Sequence, residues 1–193
     1  MRPAILEHGY GLGPRLLFRL IRLASGRRLP DAARITFYRS DFYGNPAKKL
    51  TQAAMRGDSA WSVGDRELMA AYVSKLNDCP FCVGAHTATA TAAYGDKRRV
   101  AAVLADLDSA EIAEGLRATL RLLGTLARTG TARVDDIRTV LDAGVSPEQI
   151  EDALAVAFAF NTTDRLANAF AFEVLDEDGF EAGAKYLLRR GYG

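Results

Sequence analysis

The chain has 193 residues, about half of them hydrophobic and a quarter charged. That is an ordinary globular balance, in a length that suits one domain with a sizeable core. Lysine and arginine number 25 against 24 aspartates and glutamates, a formal net charge of +1, which argues against a dedicated nucleic-acid binder. Two cysteines cannot staple a secreted disulfide scaffold. No stretch approaches the roughly 18 apolar residues of a membrane span, and the start MRPAILEHGYGLGPR lacks the apolar centre of a signal peptide. A cytoplasmic location is expected, with any chemistry of the cysteines being thiol chemistry.

The hydrophobic period is helical along nearly the whole chain, with no alternating strand runs. Residues 14–24 read as a short basic amphipathic helix ended by Ser25-Gly26, expected to cover a core or a neighbouring subunit. Residues 31–44 suit one helix and a loop, and 46–56 a further helix. Ser62-Val63-Gly64-Asp65 is a capping box opening a helix to about Asn77. Pro80 fits the first turn of the next, which ends at Gly95. Helices follow near 97–106, 110–128 and 134–142. Ser146-Pro147-Glu148-Gln149 is the clearest start signal, and its helix is expected to reach about Leu175. A last segment spans 180–190, with GYG as a loose tail. The prediction is one all-α domain over 45–193 behind an N-terminal extension, 1–44.

The informative stretch is ELMAAYVSKLNDCPFCVGAH, Glu67 to His86. At roughly 100° per residue, Cys79, Cys82 and His86 share one face of the helix that starts at Pro80. Cys82 and His86 are an i,i+4 contact pair, and the cysteine spacing suits a reversible disulfide across one turn. A thiolate in a first turn is stabilised by free N–H groups and the helix dipole, which favours Cys79 as the nucleophile. The contact with His86 favours Cys82. Glu67 lies off the apolar stripe of Leu68, Met69, Tyr72, Val73 and Leu76. Its neighbours Ala70, Ala71 and Ser74 let another helix approach, and a Glu67 buried in this way is expected to have a raised pKa and to relay protons.

Three other readings compete. Buried structural cysteines are the plainest. A zinc site would take Cys79, Cys82 and His86 with Glu67 or His8 as fourth ligand, although His8 in its glycine-rich setting reads as an exposed bystander. A thioredoxin-like site is disfavoured, because helical periods flank CPFC and no βαβ pattern surrounds it. Further along, Asn161, Asp164, Arg165 and Asn168 make a polar stripe on an otherwise apolar helix. A buried stripe must be hydrogen-bonded, either supporting the site or lying at a subunit contact; the latter is the favoured expectation.

Glu67, eleven residues, Cys79-Pro80-Phe81-Cys82, three residues and His86, together with NTTDRLANAF, resemble the alkylhydroperoxidase D-like family of the carboxymuconolactone decarboxylase superfamily over about residues 45–175. The resemblance implies an all-helical bundle, a homo-oligomer (trimer or hexamer) and thiol-dependent peroxidase activity needing neither cofactor nor metal. It makes Cys82 peroxidatic and Cys79 resolving, with Glu67 and His86 in proton transfer and a dithiol reductant, lipoylated or thioredoxin-like, resetting the pair. Phe81 stands where the best-known members carry a histidine. The alternatives are a carboxymuconolactone decarboxylase-like enzyme without redox chemistry and a non-catalytic zinc-binding or oligomeric protein.

Overall fold

The computed structural model describes residues 4–193, and among them are eleven α-helices and no strand. In chain order they are α1 (Ile5–His8), α2 (Leu12–Ser25), α3 (Asp31–Tyr38), α4 (Asn45–Arg56), α5 (Val63–Leu76), α6 (Pro80–Tyr94), α7 (Lys97–Ala105), α8 (Glu114–Thr129), α9 (Val134–Asp142), α10 (Pro147–Ala169) and α11 (Glu177–Arg190). A π-turn at Ser40–Gly44 links α3 to α4. No described helix is long and apolar enough to cross a membrane.

The centre is α5, buried without a break from Arg66 to Ser74. A helix surrounded on all sides needs small residues wherever a neighbour comes close, and Ala70 and Ala71 supply them. Packed around α5 are α6, α8 and α10, with α4 and α11 outside them. The Ser62/Asp65 capping box starts α5, and Tyr94 Oη donates to Asp65 Oδ1 at 2.6 Å, tying the end of α6 to the start of α5.

The turn between α5 and α6 positions the site. Asp78 is left-handed, with φ at 49°, a conformation that aspartate tolerates better than most side chains. The Asp78 N–H reaches Lys75 O at 3.2 Å and the Cys79 N–H reaches Ser74 O at 3.0 Å. This double closure ends α5 and leaves Cys79 at the N-cap of α6, with Pro80 in the first turn.

Three expectations are corrected. The Ser146/Gln149 box opens α10, but the helix stops at Ala169 rather than near Leu175. Ala171 turns left-handed (φ 48°), and Phe172 N–H returns to Ala167 O at 3.0 Å. The helix expected from residue 110 begins at Glu114. The amphipathic segment is α2, none of whose residues is buried, but its Phe18 packs edge-on over the buried Tyr10 at 5.0 Å, so it covers part of the N-terminal packing. The GYG tail is not loose: Tyr192 N–H donates to Gln52 Oε1 at 2.7 Å. Gly191 makes that return possible, because its φ is +70° and any Cβ there would overlap Gln52.

Candidate active site

Glu67 is fully buried at the middle of α5. Its Oε1 accepts from Arg56 Nη2 at 2.6 Å and from Tyr192 Oη at 2.9 Å. Its Oε2 lies 2.7 Å from His86 Nδ1. With a carboxylate opposite, Nδ1 carries the hydrogen and Nε2 is left for chemistry. The Arg56 guanidinium also sits over the Tyr192 ring, 5.0 Å from its centroid, and the edge of Phe160 closes on the His86 ring at 4.3 Å.

This geometry corrects the expectation for the Glu67 proton. Burial pushes its carboxyl up, but the hydrogen bond and charge of His86 and the charge of Arg56 outweigh that and hold it below its ordinary value. Glu67 is therefore a fixed anion that orients His86. Burial and the neighbouring Glu67 charge push the Tyr192 hydroxyl well above its usual range, so it stays a donor.

The two sulfurs are next to one another and nearly sealed, with Cys79 1% and Cys82 2% exposed. Both are free thiols. The Cys82 thiol donates to Cys79, which lowers the Cys79 pKa despite burial; the backbone N–H of Cys82 adds to the effect. The same contact, with burial and the charge of Asp164, pushes Cys82 up. Of the two sulfurs, Cys79 is therefore the one that gives up its proton more readily, with the Cys82 proton held toward it.

The third group at the sulfurs is Asp164 from α10, whose oxygen lies within 4.8 Å of both, the two sulfurs being as close to each other. Asp164 is fully buried. Its Oδ1 accepts from Ser74 Oγ at 2.8 Å and its Oδ2 from Asn77 Nδ2 at 2.8 Å. Asn77 also donates to Asn161 at 2.9 Å, and Asn168 donates to the carbonyls of Asn77 and Asp78 at 3.1 and 3.2 Å. The polar stripe of α10 therefore clamps the turn that carries Cys79, which corrects the favoured subunit-contact reading; only Arg165 points away, donating to Asn161 O. A metal held here would meet two thiolates and one carboxylate, not the imidazole set drawn from the sequence, since neither ring nitrogen of His86 falls within that cluster and His8 is exposed at the end of α1.

Apolar groups close the site. Leu6 and Ile35 from the N-terminal segment, Phe81, Ala167 and Phe172 form one buried cluster with the cysteines. Phe81 meets Phe172 edge-on at 5.4 Å. Sequence reasoning missed Arg56 and Tyr192, which carry no local signal and meet Glu67 only through the fold.

The carboxymuconolactone decarboxylase family model matches residues 46–125. That region is similar to the carboxymuconolactone decarboxylase family. It spans Glu67, both cysteines and His86, while Asp164 and Tyr192 lie beyond it. No curated protein matches the sequence significantly. Among solved structures, an uncharacterized peroxidase-related protein from Silicibacter sp. TM1040 is 23% identical over 86% of each chain, with a TM-score of 0.73. An uncharacterized peroxidase-related protein from Ralstonia eutropha JMP134, described as an alkylhydroperoxidase AhpD core, is 21% identical over 91% of each chain, with a TM-score of 0.74. The debrominase Bmp8 is 14% identical over 90% of this chain and 92% of its own, with a TM-score of 0.68. At these identities the likeness shows the fold, which is that of the AhpD core.

Proposed function

We propose that the protein is a thiol-dependent peroxidase that reduces organic hydroperoxides with the Cys79/Cys82 pair. The reading rests on one observation: two thiols in contact at a helix start, one turn from an imidazole whose tautomer is fixed by a buried carboxylate. Structural cysteines need no such neighbours, and a decarboxylase has no need of the thiols.

In the proposed cycle Cys82 attacks the outer oxygen of the hydroperoxide while its proton passes to the Cys79 thiolate, to which it is already hydrogen-bonded. The thiolate is the attacking form, and Cys79 serves as the base that uncovers it on Cys82. The O–O bond breaks, leaving Cys82 as a sulfenic acid, and the departing alkoxide takes a proton that His86 Nε2 accepts from solvent and passes on. Glu67 holds the imidazole in place. The Cys79 thiol then displaces hydroxide from the sulfenic sulfur, giving the Cys79–Cys82 disulfide and water. A dithiol partner, lipoylated or thioredoxin-like, returns the pair to two thiols, and the chain works as a homo-oligomer, a trimer or hexamer.

The test is hydroperoxide turnover with a dithiol reductant, combined with trapping of the sulfenic acid by a diketone. Each cysteine-to-serine variant is expected to lose turnover, and Cys79→Ser to yield the trapped adduct at Cys82. An adduct only in Cys82→Ser would reassign the attack to Cys79. Turnover retained in both variants would refute the function.

A further inference from the structure

Among the described residues, Asp164 has no fixed cation as a partner. Its partners are the Ser74 hydroxyl, the Asn77 amide and the sulfurs. A fully buried carboxylate without a counter-charge is costly, and an asparagine would meet Ser74 and Asn77 equally well. What a carboxylate adds at this place is a proton-accepting oxygen within 4.8 Å of two thiols. Its position is closely determined. Ser74 and Asn77 hold one oxygen each, Asn161 fixes Asn77, and Asn168 fixes the turn at Asn77 and Asp78, so residues at i−3 and i+4 of the same helix register the carboxylate against the start of α6.

We infer that Asp164 is a catalytic proton acceptor for the dithiol: it takes the hydrogen of the resolving thiol as the disulfide closes and returns it to the departing hydroxide. The inference rests on the reading that Cys79 and Cys82 cycle between thiols and a disulfide. Cys79–SH gives its proton to the Asp164 carboxylate, and the resulting thiolate attacks the Cys82 sulfur. The S–O bond breaks, and the leaving hydroxide removes the proton from Asp164 as water. Thiol and sulfenic acid become disulfide and water, and the carboxylate is restored. Burial raises the proton affinity of Asp164, which narrows its gap to a thiol and makes the transfer feasible. Among the described residues, the ionisable groups facing it are Cys79 at the N-cap of α6 and Cys82 and His86 within it. Glu67 on α5 is engaged by Arg56, His86 and Tyr192, and the α5-side partners Ser74 and Asn77 are uncharged.

The experiment compares the wild-type chain with Asp164→Asn and Ser74→Ala in two assays, neither using peroxide. One is the pH profile of iodoacetamide alkylation. The other is single-turnover oxidation by diamide, in which a thiolate adds to the reagent and the second thiol closes the disulfide. Removing the carboxylate removes a negative charge beside the sulfurs, so the alkylation midpoint of Asp164→Asn is expected to fall by about one pH unit or more. Disulfide closure from the diamide adduct is expected to slow at least about a hundredfold, the low end for loss of a positioned general base. Ser74→Ala keeps the carboxylate but frees one of its oxygens, so its midpoint stays in place or rises and its closure is slowed less than that of Asp164→Asn. Simple loosening of the site would speed alkylation in both variants. An Asp164→Asn midpoint that is unchanged or raised, or closure at the wild-type rate, overturns the inference. Should Asp164→Asn fail to fold, a lowered midpoint in Ser74→Ala overturns it instead. If peroxide turnover fails while these two assays behave as expected, the hydroperoxide reading falls and the role of Asp164 stands.

Discussion

Glu67 shows how far partners can outweigh burial. A carboxyl with no solvent contact would ordinarily hold its proton, yet Arg56, His86 and Tyr192 surround it and its pKa falls below the usual value of 4.5. The folded state thus binds the Glu67 proton more weakly than the unfolded chain does. The stabilisation is complete above the ordinary carboxylate value and is lost as the pH falls through the lower folded one. The urea midpoint of the wild type is therefore expected to drop on acidification below about 4.5, and Glu67→Gln to show a shallower drop over the same window. Equal slopes in the two proteins would place the acid sensitivity elsewhere. Four residues of the site were legible in the sequence because they lie within twenty positions of one another, at helical spacings. The charge state of Glu67 was not, since it depends on Arg56 and Tyr192, which come from α4 and the tail after α11.

Among the elements, α6 and α11 approach closely because Gly84 has no side chain: a Cβ there would overlap the Phe180 ring. Gly84→Ala is expected to cost about 1–3 kcal/mol, as overpacking does. Gly183→Ala, on α11 with open space around it, is expected to gain about 0.5–1 kcal/mol from helix propensity. Chemical denaturation of both variants checks the pair, and a neutral Gly84→Ala would mean that α11 is not packed on α6 in this way. Helix starts were readable where the signal is local: Ser62 with Asp65, Pro80, and Ser146 with Gln149 all sit at observed N-termini. The end of α10 was not readable, because the residue that turns left-handed there is Ala171, with no glycine or proline to announce it. The α10 stripe was recognised as polar, but one sequence alone does not say which neighbour a helix face meets.

Across the whole molecule, the segment before α4 lies over the redox pair. Leu6 and Ile35 share a cluster with both cysteines. Arg28 joins this segment to its own Glu7 and Asp31 and, across the chain, to Glu173, and Arg27 reaches Asp176. Two sulfurs at 1% and 2% exposure meet a substrate or a reductant only when this cover yields. Leu6→Ala is expected to cost about 2–5 kcal/mol and to raise the rate at which an aromatic disulfide reagent modifies the thiols; an unchanged rate would show that access does not run past Leu6. The N-terminal segment read from sequence as an extension outside the site, because Leu6 meets the cysteines only in the fold.

The central claim is that the two thiols act together as a two-electron donor to a peroxide. The most direct measurement is a count of free thiols on the reduced protein before and after one equivalent of an organic hydroperoxide, with the product identified in the same sample. The account predicts loss of both thiols of the chain, an intramolecular disulfide and one equivalent of the corresponding alcohol. Two thiols persisting beside unreacted hydroperoxide would contradict it.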